Sequence, residues 1–295
     1  MYRLHTPASE VAQALLIVMR RGSLRAAEEI TGHKYETIGE WLRLASEHAE
    51  ALTAILTQDL HLSTVEIDEF WSFVYKKTEP PTKLMPVNAG DASCKIAPAA
   101  SLPPVPAVRI GDDLIERAIS LAVARTQGRP LNWCSDGWRG YAAILTRAYR
   151  QPVRSGQRGR PPLVVPPDVR LTQAIKHRDE HGKLLSVEIR AALGEVITQP
   201  GTVHVERANG ALRDRLNALT RKTHAFAKRD VTFDALIHLQ LFEHNWIRPH
   251  HALRLPMPAE SRRYQPRTPA MVLGLTNHLW SWIAFLTTSL YTTPK

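Results

Sequence analysis

Along residues 9–62 the apolar positions recur three and four residues apart, broken only by short turns. Ser9-Glu10 are placed to cap a helix that runs through Met19 and stops at Gly22. Ser23 caps a short second helix, Leu24–Ile30, and Gly32 supplies a tight turn. In the third helix Ile38, Trp41, Leu42 and Ala45 form one stripe. A short helix, a glycine turn and a longer striped helix make a helix-turn-helix pattern, with Lys34, Tyr35, Thr37 and Arg43 free to meet a DNA groove.

The period then changes. Val65–Tyr75 is aromatic and β-branched and predicts a strand. From Lys77 to Pro106 seven prolines (80, 81, 86, 98, 103, 104, 106) argue against a central strand, because proline gives no N–H to a ladder. Only short strands are expected there, at Ser93–Ala97 and Ala107–Ile110. Asp112-Asp113 cap a helix over Leu114–Ala124, a strand follows at Leu131–Ser135, and a helix at Tyr141–Tyr149. Leu171–His177 and Leu184–Leu193 read as a hairpin, and further helices start at Val203 and span Val231–Trp246. The chain thus divides into a helical unit over 1–62, an α/β unit over 63–248, and a proline-punctuated tail over 249–295 expected to wrap the surface. The α/β unit carries a basic loop at 147–170 and the hairpin at 171–193.

Composition narrows the partners. With 38 basic against 28 acidic residues and a net charge of +10, the chain favours a polyanion, nucleic acid before membrane. A merely basic soluble protein is the alternative. Two cysteines and no CxxC exclude a disulfide framework and a zinc ribbon, and point to a reducing cytoplasm. No targeting or membrane segment is read. Arg147–Arg160 holds five arginines and no acid, offering Arg154, Arg158 and Arg160 to phosphates. A second basic stretch, 206–229, has seven basic residues against two acids and offers Arg207, Arg215, Arg221, Lys222, Lys228 and Arg229.

Three acids stand in contrasting surroundings. Asp68 lies inside the apolar run Val65–Val74, Asp136 follows the run Leu131–Ser135, and Glu206 opens the basic helix. Each has an ordinary explanation alone: a strand residue facing water, turn chemistry before Gly137, or a favourable charge at a helix N-terminus. Together, an acid in a strand, an acid at a strand end and an acid on a helix would make an oxygen-rich pocket for Mg²⁺, the ion used in pairs for phosphoryl transfer on nucleic acids. Arg213 lies two turns beyond Glu206 on nearly the same face. The adjacent His250-His251 and Cys134 are not assigned to chemistry, and Cys134 is expected to be a small buried hydrophobe.

The blocks Glu66-Ile67-Asp68-Glu69-Phe70-Trp71-Ser72-Phe73-Val74, Ser135-Asp136-Gly137-Trp138-Arg139-Gly140-Tyr141 and Val205-Glu206-Arg207-Ala208-Asn209 resemble the three acid blocks of the insertion-sequence-one family of DDE transposases. So do Leu219–Phe226, His244–His250 and Arg267–Met271, a resemblance covering roughly residues 20–285. It implies a ribonuclease-H-like mixed five-stranded sheet with flanking helices behind the helix-turn-helix. It implies Asp68, Asp136 and Glu206 as ligands of two Mg²⁺ ions, which Mn²⁺ can replace, and Arg213 as a further catalytic residue. The implied activity is DNA cleavage at element ends and strand transfer, on double-stranded DNA carrying terminal inverted repeats and on target DNA, by a homodimer assembled on DNA. The chain departs from the family in lacking an N-terminal zinc ribbon and in its prolines around the third strand. The alternative is a non-catalytic DNA-binding remnant or repressor of a decayed element.

Overall fold

The computed structural model of the chain describes residues 5–68, 70–72, 82–90, 100–107, 112–154, 156, 159–198, 200–220, 224–225, 227–257 and 263–290. Three helices come first: α1 (Ala8–Met19), α2 (Leu24–Thr31) and α3 (Tyr35–Leu56). Ser23 Oγ accepts from the Ala26 N–H at 3.0 Å to start α2, and Gly32, at φ 76°, ends it as the sequence predicts. The first boundary differs from expectation. Helix α1 begins at Ala8 behind Pro7 with no side-chain cap, so Ser9 lies within its first turn.

Next come β1 (Thr64–Ile67) and β2 (Phe70–Ser72), which both pair antiparallel with β3 (Thr82–Gly90) in one register. The predicted strand 65–75 is therefore split, and Asp68 sits in the break. Carrying the register across the break puts Asp68 opposite Pro86. A proline there has no N–H to give, which accounts for the missing ladder bond. β3 also carries β4 (Ala100–Ala107), and their register slips between Met85 and Val87, where Pro86 faces Pro103-Pro104. Of the strand expected at 107–110 only Ala107 lies within the described residues, as the last residue of β4, and the prolines at 103, 104 and 106 are absorbed in that strand instead of abolishing its pairing. The segment expected as a strand at 93–97 lies outside the described residues.

Helix α4 (Asp112–Arg125) then leads to β5 (Asn132–Ser135), and α5 (Gly140–Tyr149) follows. The basic loop is drawn together by the two-residue pairing of β6 (Gln151–Pro152) with β7 (Leu163–Val164). Strands β8 (Arg170–Arg178) and β9 (Leu184–Leu193) form the predicted hairpin. The main sheet runs in the order β4-β3-β1-β5-β8-β9, with β1, β5 and β8 mutually parallel and the other pairs antiparallel. Helices α6 (Val203–Arg215) and α7 (Asp230–Phe242) come next, and a π-helical turn, Glu243–Ile247, extends α7. A minor ribbon of β10 (Leu255–Pro256) and β11 (Tyr264–Gln265), then α8 (Pro269–Val272) and α9 (Trp282–Thr287), complete the chain.

Two cores hold this α/β architecture. In one, Val65, Ile67, Trp133 and Leu171 face Ile115, Ile119 and Ala122 of α4 and Tyr141, Ile144 and Leu145 of α5. Alternation along β1 turns Glu66 to the opposite face, toward α6. The other core joins the two ends of the chain: Leu15, Met19, Ile38, Trp41 and Leu52 pack in one cluster with Phe233, Ile237, Trp246, Trp282 and Phe285. Buried Glu243 ties it across, accepting from Arg20 Nη1 at 2.9 Å and lying 3.5 Å from Arg215. The core of the first 62 residues is therefore shared with residues from later in the chain. The tail does not merely wrap the surface: Trp282, Phe285 and Leu286 are buried, and the Phe285 carbonyl lies 2.9 Å from His48 Nε2. No helix among the described residues is long and apolar enough to cross a membrane.

Candidate active site

Asp68, Asp136 and Glu206, from three separate parts of the sequence, line one cavity of about 650 Å³, together with Gly137, Trp138, Lys176, Thr202, Asn209 and Arg213. Each is delivered by local structure. Asp68 is held at the β1–β2 break and accepts from Asn209 Nδ2 of α6 at 3.1 Å. Asp136 follows β5 directly, and its Oδ1 accepts from the Trp138 N–H at 3.1 Å, so it is both a turn residue and a wall of the cavity. Glu206 lies in the first turn of α6, where Thr202 Oγ1 donates to it at 2.6 Å and the Lys176 ammonium of β8 ion-pairs with it.

Two residues that sequence reasoning passed over set this geometry. Glu66, two positions before Asp68 and on the same face, accepts from the backbone N–H groups of His204 and Val205 at 2.9 Å each, and its other oxygen lies 2.6 Å from His204 Nδ1. A strand carboxylate thus caps the N-terminus of α6 and fixes the helix that carries Glu206, Asn209 and Arg213 against the strand that carries Asp68. Gln173, buried on β8, donates to the carbonyls of Asp136 and Trp138 at 2.8 Å each, clamping the loop that presents the second acid. The signal for Glu66 was its period-two spacing from Asp68; Gln173 gave none. That loop also requires Gly140, since a Cβ there would come within 1.9 Å of the Trp138 indole.

The electrostatics are those of crowded carboxylates. Burial first, then repulsion from Asp136 and Glu206, pushes the Asp68 carboxyl up to about 6, with Lys176 and Arg213 opposing. Burial also pushes Glu206 up, but the Lys176 ammonium and the Thr202 hydroxyl outweigh it and leave the group below the usual carboxylate range. The buried Tyr141 hydroxyl is raised by desolvation and by Asp136 and Asp68. Cys134 is buried, its thiol pushed up to about 11 by desolvation, and plays the structural part expected of it.

Shared lining and mutual repulsion do not amount to a finished cage. Among the described residues no three His, Cys, Asp or Glu side chains stand close enough to grip one ion. The Glu206 carboxylate is engaged instead by Lys176 and Thr202. The donor set nonetheless suits a hard cation. It offers three carboxylates and the buried Asn209 Oδ1, which has no hydrogen-bond partner among the described residues.

No protein-family model matches the chain, and no curated protein matches it by sequence.

The expected nucleic-acid contacts divide. Lys34 and Thr37 are exposed before and within the first turn of α3, and Arg154, Arg160, Arg207, Lys228 and Arg229 are exposed as well. Arg158, Arg221 and Lys222 lie outside the described residues. Two assignments change. Arg215 is directed inward to buried Glu243, so it serves the helical core and not a phosphate. Arg43 is already matched by Glu40, with Nε–Oε2 at 2.9 Å, and by Glu47 on its own helix. Tyr35 lies beneath the Arg25 guanidinium, 4.4 Å from ring centroid to Cζ. Helix α3 carries four acids (Glu36, Glu40, Glu47, Glu50) against that one arginine, so any DNA contact falls to its N-terminal end.

Proposed function

We propose that this chain is a DDE-type DNA transposase of the insertion-sequence-one kind, with a ribonuclease-H-like catalytic domain and Asp68, Asp136 and Glu206 as its acids. One observation carries the reading: three acids about seventy positions apart in sequence line a single polar cavity beside Arg213, close enough for two of them to raise the third. The order of strands supports it. An antiparallel β1–β3–β4 trio followed by parallel β5 and β8, with the first acid on the first strand, the second after the next parallel strand and the third on a helix across the sheet, is the arrangement expected of that fold.

Bound Mg²⁺ ions supply nucleophile activation and stabilise the leaving oxygen in such chemistry. The three carboxylates and Asn209 Oδ1 are the groups that would hold them, and Lys176 has then to release Glu206. The chain's own cations do the rest. Lys176 and Arg213, in the cavity, neutralise the scissile phosphate, while Arg207 on the outer side of α6 and Arg154 and Arg160 on the basic loop hold the flanking backbone. Exposed Lys34 and Thr37 contribute the helix-turn-helix contact. Joining two ends requires two such sites, so the working form on DNA is a dimer.

The test is strand transfer. Full-length protein, Mg²⁺ and duplexes carrying the inverted repeats that flank its coding sequence should give joined products. Asp68→Asn, Asp136→Asn and Glu206→Gln should each abolish them while leaving a gel shift intact. Joining by all three variants at the wild-type level would refute the assignment. A second reading, a DNA-binding protein without joining activity, is favoured by the Lys176–Glu206 ion pair, which neutralises one of the acids internally. It predicts the gel shift and no product from wild type.

A further inference from the structure

Among the described residues, the hairpin leaves a long strand with no further strand beyond it. β9 pairs with β8 on one side and is the last strand of the sheet on the other. Its side chains are exposed along most of its ten residues, including Leu184 (46%), Leu185 (66%), Val187 (46%) and Ile189 (40%). A ten-residue apolar edge strand is a template for pairing with another strand.

Its sequence, Leu-Leu-Ser-Val-Glu-Ile-Arg-Ala-Ala-Leu, says which strand fits. When two copies of β9 run antiparallel about a two-fold axis at Ile189, Glu188 of each faces Arg190 of the other. Glu188 lies 3.0 Å from His177 Nε2 and Arg190 also donates to Gln173 Oε1 at 2.7 Å, so the two cross-strand ion pairs form beside existing contacts to β8. In the same register Leu185 meets Leu193, Val187 meets Ala191, and Ile189 meets itself. The charged pairs and the apolar pairs segregate to opposite faces, as alternation requires. No one-residue slip keeps both sets matched. The two charges that would otherwise guard this edge against pairing are self-complementary.

We infer that β9 is a self-association edge, through which two copies of this chain join their sheets into one by an isologous antiparallel pairing centred on Ile189. The association closes on itself, because the two-fold pairing occupies β9 of both copies, and it yields a dimer and not a fibre. Val187 and Ile189 pair along β8 with Lys176 and Ala174, so they share the face on which Lys176 meets the cavity. The second copy is therefore seated at the cavity's rim, one strand beyond Lys176.

The test uses sedimentation velocity of the full-length protein without DNA, from low micromolar to about 200 μM, the range for an interface at or below standard size. Wild type should associate to a dimer. Glu188→Arg and Arg190→Glu should each weaken dimerisation at least about tenfold, since each faces like charges across the axis. Their equimolar mixture should recover it, because each hybrid pair is again Arg against Glu. Both substitutions are at exposed positions, and the recovered mixture itself shows that both variants fold. A monomeric wild type over the whole range overturns the inference. So does a dimer indifferent to both variants, or a mixture that stays monomeric. None of these outcomes depends on catalysis or DNA, so the edge can fail while the transposase reading stands.

Discussion

Replacing Asp68 by Asn should make the metal-free protein more stable at neutral pH, by an amount that the geometry fixes. The carboxyl titrates near pH 6 in the folded protein against a reference of 3.8, because it is buried and faces Asp136 and Glu206. Each tenfold change in ionisation constant is worth about 1.4 kcal/mol, so the charge opposes folding by at most about 3 kcal/mol. Solvent in the open cavity reduces this to about 1–2 kcal/mol. The sign follows from proton binding. The native state keeps its proton to higher pH than the unfolded chain, so this contribution to stability declines from pH 3.8 to about 6 and stays lost above. Asn cannot ionise, and its amide oxygen still accepts from Asn209 Nδ2. Urea denaturation in EDTA should therefore show Asp68→Asn gaining on wild type at pH 8 but not near pH 4. Added Mg²⁺ should raise the wild-type midpoint and leave the variant unmoved. A variant that gains nothing at pH 8, or gains equally at both pH values, refutes the account of three crowded carboxylates.

Glu66→Ala removes the cap from α6 and should cost about 2 kcal/mol in a urea melt, with strand transfer falling further than stability as Glu206 loses its anchor. His204, raised by its hydrogen bond to Glu66, should add stability below about pH 6.5 that fades as pH rises through its folded value, and Glu66→Ala should abolish that slope. Lys176→Ala frees Glu206, so calorimetry should show tighter Mn²⁺ binding while joining activity falls. Glu243→Ala removes the carboxylate shared by Arg20 and Arg215 and should destabilise by about 1.5–3 kcal/mol in the same melt, loosening α1 and α6 together.

The helices of the first sixty residues were legible because local chemistry decides them: Ser23, Gly32 and the Ile38–Ala45 stripe act within a few residues. The hairpin and α7 were legible for the same reason. The acids could be named because charge is conspicuous in apolar company, but their meeting could not be read, since it depends on strand register and on Glu66 capping a helix some 140 positions away. The prolines misled. They do interrupt the ladder, yet Pro86 and Pro103-Pro104 fall opposite one another, so a single irregularity accommodates all three. The basic helix misled in part as well, because charge alone does not tell Arg207, which faces out, from Arg215, which faces a buried glutamate. The sharing of the first helices' core failed to show for a similar reason: two aromatic residues that complete it, Trp282 and Phe285, are distant in sequence.

That closure of the two ends has a consequence for biosynthesis. A ribosome adding roughly 5–20 residues per second releases α1 well before α9 exists, leaving its apolar stripe uncovered for some tens of seconds. The earliest helices can complete their core only after residues 212–286 have been made, so until then the nascent chain leans on holding factors. A product truncated before Trp282 would lack part of the cover over its own first helices and should be less stable for it.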